Sequence, residues 1–152
     1  MVVYHDIDRN NIKLIEELWN QNKEYHIEIE TYFKNKYECL NFKKRMEEIF
    51  CDDDRIIKIT VAKIEETVVG YCISGIKENV GEIISIHVCR KNRKNNIGSE
   101  LIKKHIEWME NKECKNIGVY VSSINTKTIE FYARNGFKNN LVYMEMRKEN
   151  MI

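Results

Sequence analysis

Gly81-Glu82-Ile83-Ile84-Ser85-Ile86-His87-Val88-Cys89-Arg90-Lys91-Asn92-Arg93-Lys94-Asn95-Asn96-Ile97-Gly98-Ser99 is the stretch on which the reading of this chain turns. Its first eight residues are rich in β-branched side chains and predict a buried strand. From Arg90 to Asn96 the chain is polar and basic, with no apolar side chain until Ile97. Beyond Ser99, Leu101, Ile102, Ile106 and Met109 recur at helical spacing. A strand, a basic loop and a helix that starts where the loop ends make an anion site. The first helical turn offers free N–H groups and the positive end of the dipole to whatever lies in the loop. Arg90, Lys91, Arg93 and Lys94 raise the local potential further, so the expected ligand is a phosphate, a diphosphate above all.

Length and composition set the frame. The chain has 152 residues, which predicts one domain over 1–152 with a proper core. A hydrophobic content of 43% and a charged content of 32% are those of a soluble globular protein. The formal net charge of +1 gives no global steering toward nucleic acid or membrane. Five cysteines without a C-x-x-C pair predict reduced thiols, neither a disulfide framework nor a zinc knuckle. The four histidines form no H-E-x-x-H or close pair, so no metal site is expected. The start of the chain lacks the basic and apolar regions of a signal peptide, and no apolar stretch approaches membrane-spanning length. A cytoplasmic location is the expectation.

Taken in order, Val2 to Tyr4 predicts a short strand. Asp8 or Asn10 then caps a helix bearing Ile12, Ile15, Leu18 and Trp19. Tyr25, Ile29, Tyr32, Phe33 and Tyr37 fall near one face, as core or subunit interface, which leaves a homodimer open. A further helix spans Leu40 to Phe50. Ile56 to Ile64 and Val68 to Ile76 predict two antiparallel strands joined at Glu65-Glu66-Thr67. After the central helix come a strand at Ile117 to Val121, a helix at Thr128 to Asn135 stopped by Gly136, and a last strand at Phe137 to Met146.

With these elements in place, Arg93-Lys94-Asn95-Asn96-Ile97-Gly98 resembles the acetyl-coenzyme A signature R/Q-x-x-G-x-G/A of the GNAT superfamily of N-acetyltransferases. Asn96 stands where that family usually has its first glycine, and Asn is the residue that best tolerates positive φ after Gly. A second resemblance lies at Asn125, Tyr132, Gly136 and Phe137, similar to the family's strand-Asn-helix-Tyr-x-x-x-Gly-Phe ending. The pattern covers about the last two thirds of the chain. It implies an α/β (α+β) acyltransferase fold, a mixed and mostly antiparallel twisted sheet flanked by helices, whose central strand and the next splay apart to admit the cosubstrate.

The resemblance also implies roles. Tyr132 corresponds to a tyrosine near the coenzyme A sulfur that acts as general acid; the plainer reading is a packing aromatic beside Phe131. Glu82 is similarly placed to the base of the histone-acetylating branch, weighed against a solvated charge at a strand start. Arg93, Lys94, Asn95, Asn96, Ile97, Gly98 and Ser99 would cradle the diphosphate. Ile86, His87 and Val88 would offer backbone groups to the pantetheine arm, with the Val88 N–H as oxyanion donor. Asn125 would touch the same arm or cap a helix. His26 is a candidate for the acceptor pocket, and Asp52-Asp53-Asp54 could attract a cationic amine. The expected activity is transfer of acetyl from acetyl-CoA to a primary amine by direct attack in a ternary complex, with no metal. The acceptor stays open among aminoglycosides, polyamines, amino acid derivatives and protein amines. A non-catalytic acyl-CoA sensor is the alternative. A nucleic-acid patch is disfavoured because no aromatic residues interleave the basic cluster.

Overall fold

The computed structural model describes residues 1–147. Five strands join into one sheet in chain order: β1 (Val2–Ile7), β2 (Ile56–Ile64), β3 (Thr67–Lys77), β4 (Val80–Val88) and β5 (Asn116–Val119). The first four pair antiparallel and β4–β5 is parallel, which gives the mixed, mostly antiparallel sheet expected. The β2–β3 and β3–β4 connections are tight turns in which Glu65, Glu78 and Asn79 take positive φ. β1 runs three residues beyond its predicted end because its whole length pairs with β2, from Val2 opposite Ile64 to Ile7 opposite Ile59.

Helices cover both faces. On one face α4 (Ile97–Asn111) and α5 (Thr126–Arg134) enclose a core of Leu101, Ile102, Met109, Cys72, Ile83 and Tyr132. On the other, a 3-10 segment (Arg9–Ile15), α1 (Glu16–Ile29) and α3 (Phe42–Phe50) press Ile15, Leu18, Trp19, Met46 and Ile49 against Ile59, Val61 and Ile73. The short α2 (Lys34–Glu38) lies between α1 and α3 in sequence. Asn41 caps α3 by accepting from the Lys44 N–H at 3.1 Å, so that helix starts at Phe42 rather than Leu40. The first predicted helix opens as a 3-10 turn before becoming α-helical at Glu16. The aromatic stripe is split, since α1 ends at Ile29 and Tyr32 is exposed.

One element is corrected. Phe137 to Met146 forms no strand. Gly136, at φ +95°, ends α5, and the Phe137 N–H donates to the Tyr132 carbonyl at 3.0 Å, closing the helix. The chain beyond is led toward α2, where Glu145 pairs with Lys36 and Arg147 donates to the Tyr32 carbonyl at 2.8 Å. Alternation gives a segment strand character, but a strand exists only against an edge, and this one meets none.

The sheet also encloses a polar chain. His105, fully buried on α4, has Nδ1 2.6 Å from the Ser74 hydroxyl and Nε2 2.9 Å from the Thr60 hydroxyl. Thr60 gives its single proton to Asp6 at 2.6 Å, so it must accept from Nε2–H, and Nδ1 accepts from Ser74. Lys58 completes the chain, 2.7 Å from Asp6. Burial, reinforced by the Lys58 charge, pulls the His105 pKa down to about 3. The unfolded chain therefore takes up a proton near pH 6.5 that the folded chain refuses. Stability is complete above that pH and is lost as pH falls toward the folded value. Urea unfolding should reveal this loss, at up to about 1.4 kcal/mol per pH unit below 6.5 from this residue. His105→Gln, less stable at pH 7, should have a flatter acid slope; an unchanged slope would remove His105 as the cause.

Candidate functional site

A cleft opens where the sheet comes apart. β4 continues to Val88, but its pairing with β5 stops at Ile83 opposite Val119. A bulge sits at the same place, since Ile73 faces Ser85 while Ser74 faces Ile83, which leaves Ile84 extra. The added residue increases the local bend and twist. The two strands diverge, and the cleft between them measures about 260 Å³. One wall is Ile84, Ser85 and Ile86; the opposite wall is Val119 to Ser122; α5 contributes Asn125, Thr128 and Tyr132. The backbone groups of β4 beyond Ile83 have no strand partner on the β5 side among the described residues.

Tyr132 is buried among Phe131 and Phe137, with edge-on ring centroids at 5.2 and 5.3 Å. Its hydroxyl makes no side-chain hydrogen bond among the described residues, and the residue lines the cleft. Burial raises its pKa, so the phenol keeps its proton. Asn125 is buried at the head of α5. Its carbonyl oxygen accepts from the Thr128 N–H and from the Tyr25 hydroxyl, both at 3.3 Å. It is therefore a helix cap that also ties α1 to the cleft.

The basic loop forms a 3-10 turn over Arg90–Asn95 at the end of β4. Asn96 takes φ +59° and ψ +20°, the left-handed conformation that its glycine-like position requires. Its side chain makes no cap bond, which leaves the first N–H groups of α4 free. Ile97 is fully buried and anchors this turn. At Gly98 a β-carbon would stand 3.2 Å from the Phe131 ring, so the helix start sits close against α5 and any larger residue would push that ring aside by a few tenths of an ångström. Ser99 accepts from the Asn135 side chain at 3.3 Å, a second tie between the two helices. Lys94 and Asn95 are exposed. Arg93 is exposed as well and already engaged: Nε donates to the Val88 carbonyl at 3.1 Å, and the guanidinium lies 5.9 Å from the Tyr25 ring.

Two predicted positions fall elsewhere. Glu82 sits at the start of β4, 3.0 Å from Arg55, and is absent from the cleft walls. Asp52 is paired with Lys77 at 2.5 Å and accepts from the Asp54 N–H at 3.0 Å, in the turn before β2. His26 does line the cleft. It stacks on Tyr37 at 4.8 Å, and its Nδ1 is buried without a partner. Burial lowers its pKa, against a smaller upward pull from Glu30. His87 is buried, and burial together with the Arg93 and His26 charges lowers it to about 4. Both imidazoles are thus neutral at pH 7. Sequence reasoning passed over Lys23 and Arg45, which line the same side as Trp19 and His26. Their only sequence signal was membership of helices whose placement over the cleft depends on the fold. Glu30, buried behind this side, accepts from the Thr31 and Phe33 N–H groups and from the Ser122 hydroxyl.

Among the described residues no group of His, Cys, Asp and Glu could hold a metal ion. No helix there is long and apolar enough to cross a membrane.

With this geometry in hand, comparison with solved structures finds the same fold repeatedly. The aminoglycoside N-acetyltransferase AAC(6')-Iy in complex with CoA superposes with a TM-score of 0.69 at 17% identity, over 97% of this chain and 99% of that one. The tetramutant of the BH1408 protein from Bacillus halodurans gives 0.74 at 14% identity, over 96% and 99%. A transcriptional regulator from Bacillus halodurans gives 0.63 at 18% identity, over 97% and 100%. No curated protein matches by sequence. The model of the acetyltransferase (GNAT) family matches residues 14–137, which takes in β2 to β5, the parted cleft, the basic loop and both helices around it. On that match the chain belongs to the GNAT family of acetyltransferases.

Proposed function

We propose that the protein transfers the acetyl group of acetyl-CoA to a primary amine by direct attack in a ternary complex. The observation that carries this reading is the parted edge of β4. It presents backbone groups without a strand partner along one cleft, and the same strand runs on into the basic loop and the uncapped start of α4. The residues fit the cosubstrate on these grounds. An amide-bearing arm can add to the β4 edge as a strand would, and a diphosphate suits the free N–H groups of α4 with Arg93 and Lys94 nearby. Ile86, His87 and Val88 would supply the arm's backbone partners. Asn96, Ile97, Gly98 and Ser99 would surround the phosphates, with Asn95 on the rim.

In the reaction the amine nitrogen bonds to the thioester carbonyl carbon, the carbon–sulfur bond breaks, and the nitrogen gives up a proton. The Val88 N–H would donate to the developing oxyanion. Tyr132, held protonated by burial and otherwise unpartnered, would donate to the departing sulfur. For the proton lost from nitrogen we favour His26 over Glu82. Its buried Nδ1 is free, it is neutral at pH 7, and it lines the cleft, whereas Glu82 is spent on Arg55 outside it.

The acceptor side of the cleft carries its own signal. Its charged lining residues are Lys23 and Arg45, both cationic, and no Asp or Glu lines the cleft among the described residues. Opposite charge favours entry and like charge opposes it. An amine that also bears an anionic group, such as an amino acid derivative, therefore fits better than a polycationic aminoglycoside or polyamine. A catalytically silent acyl-CoA sensor is the competing reading, and a free Tyr132 hydroxyl in the cleft argues against it.

Three measurements test this. Arg93→Ala should weaken acetyl-CoA binding in calorimetry about tenfold, since one charge-assisted contact is worth on the order of 1.5–3 kcal/mol; unchanged affinity would sink the loop assignment. Tyr132→Phe should lower kcat by about 10²-fold or more with little change in KM, and His26→Gln should erase the acid limb that Glu82→Gln leaves in place. In a thiol-release assay over an amine panel, amino acids and their carboxylate-bearing derivatives should outperform kanamycin-type and polyamine substrates. A preference for the polycations would overturn the charge argument.

A further inference from the structure

The bulge in β4 does more than bend the strand. Ile83 and Ile86 pack into the core under α4, whereas Ile84 packs against the core under α1 that holds Tyr71 and Ile73. Ser85 points the same way as Ile84, since its hydroxyl lies 2.8 Å from the Tyr71 hydroxyl. A regular strand would alternate, and the extra residue is what turns two successive side chains to one face. Ser85 is thereby presented to the side of the cleft that carries Trp19, Asn22, Lys23 and His26.

Tyr71 is fully buried on β3, so its one proton needs an acceptor inside the protein. Its side-chain partners are Ser85 and Asn22. Burial raises its pKa and those two contacts offset only part of the rise, so the phenol stays protonated. If the phenol donates to Ser85, the Ser85 O–H is left over. If it donates to Asn22, the Ser85 hydroxyl must donate to the phenol, and the Asn22 N–H groups are left over. Ser85 and Asn22 line the cleft and Tyr71 lies behind them, so either arrangement leaves at least one donor for a bound ligand. Lys23 follows Asn22 on α1 and is placed by the Leu40 carbonyl, 2.8 Å from Nζ, with donors to spare.

We infer that Ser85 and Asn22 are the specificity-determining pair of this site, holding a carboxylate of the acceptor beside the Lys23 charge, and that Tyr71 is a positioning residue that fixes their protons. The assignment deepens the acetyl-transfer reading and rests on it for the nature of the second ligand. A carboxylate has only acceptor atoms, so a hydroxyl, an amide N–H and a cation can satisfy it together. The carboxamide of the same compound puts an NH₂ where one oxygen stood, and a donor of the site then goes unpaired. Discrimination therefore falls on the group that separates an amino acid from its amide, not on the amine that both share. A polyamine brings no atom that these donors can bond.

The test uses the full chain saturated with coenzyme A, titrated calorimetrically with N-acetyl-L-amino acids and with the matching N-acetyl-L-amino acid amides. The unsubstituted protein should bind at least one acid about tenfold or more tighter than its amide. Ser85→Ala and Tyr71→Phe should each cut that ratio to about threefold or less, with amide and coenzyme A affinity unchanged. Asn22→Asp keeps the shape of the side chain and sets a negative charge beside the carboxylate, so it should abolish or invert the preference without touching the buried phenol. A ratio near one in the unsubstituted protein, or a ratio that Ser85→Ala and Asn22→Asp leave unmoved because acid and amide weaken alike, would overturn the assignment. Selective binding of the acids with no thiol release from acetyl-CoA on any free amino acid would instead retire the acetyl-transfer reading and leave the carboxylate site standing.

Discussion

The parting of β4 from β5 is the constraint on which the rest of this structure depends. A parallel pair that could run on to Val88 stops at Ile83, and the sheet forgoes the hydrogen bonds that the remaining residues would make. Such a gap persists only if other contacts hold both sides. On the β4 side, the bulge at Ile84 sets the bend, Cys89 stays tied to β3 through the Val69 carbonyl at 2.7 Å, and Arg93 clamps the strand end. On the β5 side, α5 is fixed by Asn125 at its head and by Phe137 folding back at its tail. The fully buried faces of β3 and α4 supply the rigidity. Leu101, Ile102 and Met109 are inaccessible, and shortening any of them by several carbons would cost about 2–5 kcal/mol.

How much of this was legible in the sequence follows from the range of each interaction. The basic loop, Asn96 and Gly98 were readable because a helix start and a left-handed turn are local, written in adjacent residues. Strand existence was readable for β2, β3 and β4, where β-branched runs leave few alternatives. The fate of Phe137 to Met146 was not, because pattern reports strand character while pairing depends on a distant edge. The surroundings of Glu82 were hidden in the same way: its place at a strand start was evident, but its partner Arg55 lies 27 positions earlier. Lys23 and Arg45 gave no local sign, since only the packing of α1 and α3 over the sheet brings them to one cleft. His105 likewise looked like one more helix position, and the Ser74 and Thr60 hydroxyls that satisfy it come from separate strands.

Charge in this molecule is arranged locally, and its global balance conceals that. A net charge of +1 implies no steering, yet Lys23 and Arg45 line the cleft and a basic loop follows the strand that forms one of its walls. Two ionisable groups that line it are kept neutral by burial, Tyr132 and His26, and His87 on the adjoining strand is kept so by burial and the charge of Arg93. Neutrality there is a condition for the chemistry proposed. A charged imidazole or phenolate in a space this confined would bind counter-ions and water, and both compete with an incoming amine. The buried Glu30 carboxylate is consistent with this arrangement. It is enclosed by two N–H groups and the Ser122 hydroxyl, so its charge is spent on holding the loop after α1 to the cleft wall rather than on attracting a cation. In the proposed reaction the cations would act on whatever anionic groups the ligands bring, and the neutral groups would be left for the transfer itself.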